Sequence, residues 1–175
     1  VKHRLVAGTI NHWPESEDGW RTWTLDVSDR GIWDRELNMS VRPHFVMSVA
    51  DLADFRADTF DEIRCHHVLE HVRLDEAEQA VRGFWRILKP GGILDVETPD
   101  VLRVIDAWNR DELDLAGLNQ WLYGEHLANH EAGDTHKTGW SKGSLWNLLA
   151  AAGFELVEQP DAGYAVRYVV TKADA

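Results

Sequence analysis

The chain has 175 residues, 44% of them apolar, which suits one ordinary globular core and is too rich for a disordered segment. Its formal net charge of −12 repels phosphate backbones, so an extended nucleic-acid-binding face is not expected. The lone cysteine, Cys65, excludes an internal disulfide and any zinc site built on two or more thiolates.

In chain order, Arg4 to Ala7 is a short apolar strand ending at Gly8. Thr9 to Gly19 is polar, with Pro14 and Gly19, and reads as a loop. Arg21 to Val27 alternates as a strand with Asp26 at its end, Phe45 to Val49 is a third apolar run, and Ile63 to His66 a fourth strand. A helix is predicted from about Asp75 to Leu88, with Ala77, Val81, Phe84, Trp85 and Leu88 on one buried face. Lys89-Pro90-Gly91-Gly92 stops it, and Ile93 to Glu97 forms a fifth strand, closed by Pro99.

Asp100 can cap a helix carrying Val101, Leu102, Val104, Ile105 and Trp108 on one side. Leu113 to Leu122 reads as another helix, and the stretch Gly124 to Gly139, which carries His126, His130 and His136, as a loop. Ser141 can cap a helix holding Leu145, Trp146, Leu148, Leu149 and Ala152. Phe154 to Glu158 and Tyr164 to Thr171 are β runs around Pro160-Asp161-Ala162-Gly163, the spacing of an antiparallel hairpin.

No repeat or Pro/Ser-rich linker divides the chain, so one domain over residues 1–175 is expected. Alternating strands and helices favour an α/β fold, a parallel sheet with helices on both faces. Ligands of such sheets bind beyond the carboxyl ends of the strands, which nominates Gly8, Asp26, Asp51, Cys65 to His67 and Glu97 to Pro99. No apolar run approaches the roughly 20 residues of a membrane span. The opening Val1-Lys2-His3-Arg4 shows no signal-peptide cleavage pattern, so a cytoplasmic protein is expected.

Three ordered motifs carry more information: Phe60-Asp61-Glu62-Ile63, His67-Val68-Leu69-Glu70-His71-Val72 and Arg86-Ile87-Leu88-Lys89-Pro90-Gly91-Gly92. Together they resemble the core of class I S-adenosylmethionine-dependent methyltransferases. Tyr123-Gly124, His136-Lys137-Thr138-Gly139-Trp140 and Leu148 to Phe154 are similar to a small bacterial and viral subgroup of unassigned acceptor. The resemblance covers about residues 44–158.

It implies a Rossmann-like sandwich with a seven-stranded, mostly parallel sheet and an antiparallel last strand. It implies S-adenosylmethionine as cofactor, with Gly8 at the methionine part, Asp26 on the ribose hydroxyls and Asp51 near the adenine. Cys65 and His66 would lie near the methionine end. A carboxylate such as Asp26 suits a vicinal diol, because it accepts two hydrogen bonds. The family turn usually holds two or three glycines, whereas Ala7-Gly8-Thr9-Ile10-Asn11 holds one. Trp13, Trp20 or Trp23 is a candidate cover for the adenine, or else a core or surface aromatic.

On the acceptor side, His136 is the candidate base, since an ordinary imidazole titrates near about 6.5. Tyr123 and Trp140 are candidate pocket walls or core. The expected activity is methyl transfer to a small hydroxylated metabolite or glycan. The alternative is a non-catalytic binding module of the same fold, motivated by the single glycine.

His67-x-x-Glu70-His71 also fits an inverted zinc-hydrolase pattern, with Glu97, Glu125 or His126 as third ligand. The bland reading has Leu69 packing and Glu70 and His71 capping and lining the helix start. No metal site is expected.

Overall fold

The computed structural model describes residues 1–8, 17–28, 32–34, 39–124 and 135–173, with backbone alone at 32–34 and 39–41. Strand β1, Lys2–Ala7, is flanked on both edges, by β2 (Trp20–Asp26) and by β6 (Phe60–His66). Its Leu5 and Ala7 are fully buried, as a central parallel strand requires. Arg4 is buried with them, and Glu62 at 3.0 Å and Glu17 at 3.1 Å match its charge.

Three further short strands precede β6: β3 (Ile32–Asp34), β4 (Met39–Val41) and β5 (Phe45–Val46). Among the described residues, β3 and β4 pair only with each other, and β5 adds to β2. Beyond β6 come β7 (Leu88–Pro99), β8 (Phe154–Glu158), the two-residue β9 (Asp161–Ala162) and β10 (Ala165–Lys172). The main sheet runs β5-β2-β1-β6-β7-β10-β8, with β9 paired to β10. That makes eight strands among the described residues where seven were expected, because two residues of the predicted hairpin turn join the ladder. β10 runs antiparallel to β7 and β8, as the terminal hairpin predicts.

Helix α1, Leu74–Ile87, starts where the Glu76 carboxylate accepts a hydrogen bond from the Arg73 amide at 2.8 Å. It buries Ala77, Ala80, Val81, Phe84 and Ile87. Removing the Phe84 ring would cost about 3–5 kcal/mol. Trp85, predicted to be buried, is 37% exposed. Its ring lies 4.4 Å from the buried Lys172 ammonium, which donates to Asp58 and to the Leu88 carbonyl.

The predicted turn at 89–92 instead lies within β7. Leu88 is already extended and pairs with Phe60, and the next ladder pair joins Glu62 to Ile93. Lys89 to Gly92 therefore bulge opposite Asp61, and Lys89 Nζ donates to its carboxylate at 2.8 Å. A Cβ at Gly92 would sit 2.8 Å from the Lys89 carbonyl oxygen, so only glycine fits the bulge.

Helices α2 (Val101–Asn109), α3 (Leu115–Tyr123) and α4 (Lys142–Ala151) complete the described chain. α1 touches β7 and α4, α4 touches β8, and α2 touches α3. The Asp100 carboxylate accepts from the Leu102 amide at 3.0 Å and from the Lys142 amide at 3.2 Å. One buried carboxylate thus caps α2 and α4 together. The buried positions of α2 are Val104 and Ala107, whereas Leu102, Ile105 and Trp108 are exposed. The expected apolar side is thus rotated, because α2 lies where only one narrow stripe meets the body. Among the described residues, no helix is long and apolar enough to cross a membrane.

Candidate functional site

Parallel pairing aligns Ala7 of β1 with Leu25 of β2 and with Cys65 of β6. The next residues, Gly8, Asp26 and His66, therefore stand in one row at the carboxyl edge. His66 pairs onward with Glu97, and Asp26 with Val46. Backbone bonds carry the order past the strands: the Gly8 amide donates to the Leu25 carbonyl at 2.9 Å, Met47 to Asp26 at 2.8 Å, and His67 to Glu97 at 2.9 Å.

On the β2 side of this row, Gly8 has φ +73°, and a Cβ there would lie 2.3 Å from Val68 Cγ2. The chain's own packing thus demands glycine at this position. Asp26 Oδ1 accepts from the Ser28 amide at 3.0 Å. Asp51 is not in the row. It is exposed in the connection between β5 and β6, where its amide closes a turn onto Ser48 at 3.0 Å. Cys65 turns its side chain into the core, and burial pushes its thiol up. Only its backbone reaches the edge, and the inert thiol offers no nucleophile.

The aromatic candidates are accounted for locally. Trp20 opens β2 at the end away from Asp26, 4.2 Å from the Arg4 guanidinium. Trp23 packs on Phe45 at 5.9 Å and His44 at 5.4 Å. Trp140 is core, at 2% exposure, and Tyr123 is 54% exposed. Thr9 to Asn11, Trp13, Glu125, His126 and His130 lie outside the described residues.

Charged side chains organise the β7 side. His66 Nε2 lies 3.0 Å from Asp95 Oδ1, and Arg167 grips the same carboxylate with two bonds of 2.8 and 2.7 Å. Burial alone would raise the Asp95 pKa, but His66 and Arg167 hold it well below the usual carboxylate range. His67 has φ +53°, a strained setting for a non-glycine residue. Its ring lies between two carboxylates, with Nδ1 3.3 Å from Glu70 and Nε2 3.0 Å from Glu97. Glu70 and then Glu97 push its pKa up to about 9 against the cost of burial. His67 in turn holds the Glu97 carboxyl below its ordinary value.

This arrangement overturns the zinc-hydrolase reading. Residues 67–71 form no α-helix: a single 3-10 turn covers Leu69–His71, with His67 outside it. Both nitrogens of His67 are taken up by carboxylates, Nδ1 by Glu70 and Nε2 by Glu97. Leu69 is fully buried, as expected. Glu70 does not cap α1. It is 1% exposed and accepts from Thr98 Oγ1 at 2.9 Å, while its backbone carbonyl accepts from the Lys137 and Thr138 amides.

Those contacts dock the segment carrying His136 onto the sheet edge. His136 Nδ1 donates to the Trp121 carbonyl at 3.1 Å, and burial pulls its pKa down. Its ring meets that of His71 edge to face at 4.9 Å. Glu97 and Glu70 become partners of this cluster only through strand register and chain crossing, which no local sequence signal gives.

A family model described as "Methyltransferase domain" matches residues 7–96, just over half of the chain. The chain belongs to the methyltransferase domain family. Its cofactor is S-adenosylmethionine, and its architecture is the Rossmann-like one of class I S-adenosylmethionine-dependent methyltransferases.

Among solved structures, it is similar to an S-adenosylmethionine-dependent methyltransferase from Methanosarcina mazei, at 14% identity and a TM-score of 0.62, covering 99% of this chain and 93% of that one. It is similar to the 1,6-didemethyltoxoflavin-N1-methyltransferase of Burkholderia thailandensis, solved with 1,6-didemethyltoxoflavin and S-adenosylhomocysteine bound, at 18% identity and a TM-score of 0.60, covering 98% and 71%. A Haloferax volcanii protein solved with the Trm112 methyltransferase activator matches at 14% identity and a TM-score of 0.60, covering 98% and 83%. At these identities the likeness is one of fold. No curated protein matches the chain.

The edge fits the cofactor chemically. A carboxylate ends β2 beside the glycine that follows β1, and a ribose diol needs such an acceptor.

Proposed function

We propose that the chain transfers the methyl group of S-adenosylmethionine to a small hydroxylated acceptor, a metabolite or a glycan. The observation that supports this reading is the single row of Asp26, Gly8, His66 and Glu97 at the carboxyl ends of parallel strands. Bound S-adenosylmethionine would supply a methyl already activated on a sulfonium sulfur.

The chain's own work is then to hold, to align and to take up a proton. In this reading Asp26 accepts both ribose hydroxyls, the backbone of Gly8, Cys65 and His66 borders the methionine end, and Asp51 serves the adenine side. His136 is the base. Its Nδ1 proton is fixed on the Trp121 carbonyl, which leaves Nε2 as acceptor, and its lowered pKa keeps it neutral at neutral pH. The net charge of −12 favours a small acceptor over a polyanion. The one cysteine, buried and unpaired, suits the reducing cytoplasm in which we place the activity.

One observation favours a second reading. Val68 stands where a side chain at residue 8 would go, so Gly8 is explained without any ligand. A non-catalytic module would keep that packing and bind the cofactor without transferring its methyl.

The test is turnover on a panel of small hydroxylated metabolites and glycans, read as S-adenosylhomocysteine formed. The proposal expects turnover with at least one of them and none with duplex nucleic acid. Cofactor binding without turnover on the whole panel would favour the second reading.

A further inference from the structure

We propose that Glu70, His71 and His136 form a site for a divalent transition-metal ion, with zinc the best match. Glu70 and His71 come from the 3-10 turn after β6, and His136 from the segment that docks on that turn before α4. One ligand atom from each lies within 4.8 Å of the other two. Tetrahedral zinc, with bonds of about 2.0–2.2 Å, needs its ligands roughly 3.3–3.6 Å apart. Closing the site thus asks for little more than about 1 Å of side-chain movement.

Glu70 is 1% exposed: its Oε2 accepts from Thr98, and its Oε1 lies 3.3 Å from His67 Nδ1 and 3.9 Å from His71 Nε2. One further observation points to a ligand: His71 Nδ1 is buried without a hydrogen-bond partner. Native proteins rarely leave such an atom unpaired, so it calls for an explanation.

The surroundings are those of an imidazole ligand held in place. His136 donates from Nδ1 to the Trp121 carbonyl, which fixes the tautomer and leaves the Nε2 lone pair for a metal. The Lys137 amide bonds the Glu70 carbonyl at 2.7 Å, and Thr138 Oγ1 bonds the Val72 carbonyl at 2.7 Å. Both bonds hold the two ligand-bearing segments together. Two imidazoles and one carboxylate suit zinc, cobalt or nickel better than magnesium or calcium, which prefer all-oxygen shells. Three protein ligands leave the fourth position open.

This inference rests on the cluster itself and stands whether or not the chain transfers methyl groups. A bound ion takes the Nε2 lone pair that the proposed function gives to proton uptake. His136 therefore serves as base only in the metal-free chain.

The experiment is a calorimetric titration of the untagged, metal-stripped full chain with Zn²⁺, repeated with Co²⁺ for its visible absorption and with Mg²⁺. The expected result is one Zn²⁺ per chain, Co²⁺ bands of a low-coordinate nitrogen–oxygen site, and no Mg²⁺ binding. His71→Ala and His136→Ala should each weaken Zn²⁺ by more than about tenfold, the smaller loss seen even for outer-shell changes. His3→Ala, at the far end of β1, should leave it unchanged. Glu70→Gln is the further variant should either alanine change unfold the chain by circular dichroism. Less than one Zn²⁺ per chain, equal affinity in the folded variants, or Mg²⁺ binding as tight as Zn²⁺ would overturn the site.

Discussion

On the β2 side of the sheet edge the backbone does the positioning, whereas on the β7 side charged side chains do it. Gly8 and Asp26 take their places from parallel register and from amide bonds that continue past the strands. His66, His67, Glu70, Asp95, Glu97 and Arg167 take theirs from ion pairs reaching across the chain. The first kind of site is broken by steric change at the backbone. The second tolerates small steric change and follows the protonation of its members.

The largest expected effect probes the backbone side. Gly8→Ala places a methyl against Val68 at φ +73° and should lower stability by about 2–4 kcal/mol, overlap and left-handed strain together. Chemical denaturation measures it. Adding Val68→Ala should recover the overlap share and leave the strain. No recovery would mean that Val68 is not what holds residue 8 to glycine.

Next comes Asp26→Ala. It should weaken S-adenosylmethionine by about 1.5–3 kcal/mol, the range for hydrogen bonds to a charged group, with the fold intact. Calorimetry on the variant checks it, and unchanged affinity would remove Asp26 from the ribose.

The charged side answers to pH. The folded-state pKa of His67 is raised from its ordinary 6.5 to about 9 by Glu70 and Glu97. The pairing therefore stabilises the fold fully below 6.5, and that contribution is lost as pH rises through about 9. The effect should stay under about 1 kcal/mol, because the ring is more than a third exposed and screened. The melting-temperature advantage of wild type over His67→Gln should shrink across that window. An advantage independent of pH would show that the ion pairs do not hold this side.

The smallest effect belongs to Asp51, which is exposed and outside the row. Asp51→Asn should change stability by less than about 0.5 kcal/mol and cofactor affinity by less than about 1 kcal/mol. A loss as large as that of Asp26→Ala would shift weight on the β2 side to the β5–β6 connection.

What the sequence made legible follows the same division. Local periodicity and caps are written in neighbouring residues, so β1, β2, β6, α1, the Asp100 cap and the terminal hairpin are readable from them. Gly8 and Asp26 belong to this class, because strand ends fix their place. Trp85 misleads, since an aromatic at helical spacing looks like core until Lys172 arrives beneath it from the last strand. Lys89 to Gly92 mislead because a proline-glycine run reads as a turn, and only pairing with β6 reveals a bulge. The His67–Glu97 pair and the Glu70–His71–His136 cluster depend on register and chain crossing, which residue order does not display.

Methyl transfer requires that the row at the carboxyl edge receive S-adenosylmethionine with Gly8 as its one glycine. The direct measurement is calorimetric titration of the wild-type chain with S-adenosylmethionine and with S-adenosylhomocysteine. Saturable binding of one molecule per chain is expected for each. No heat and no thermal shift at millimolar ligand would contradict it.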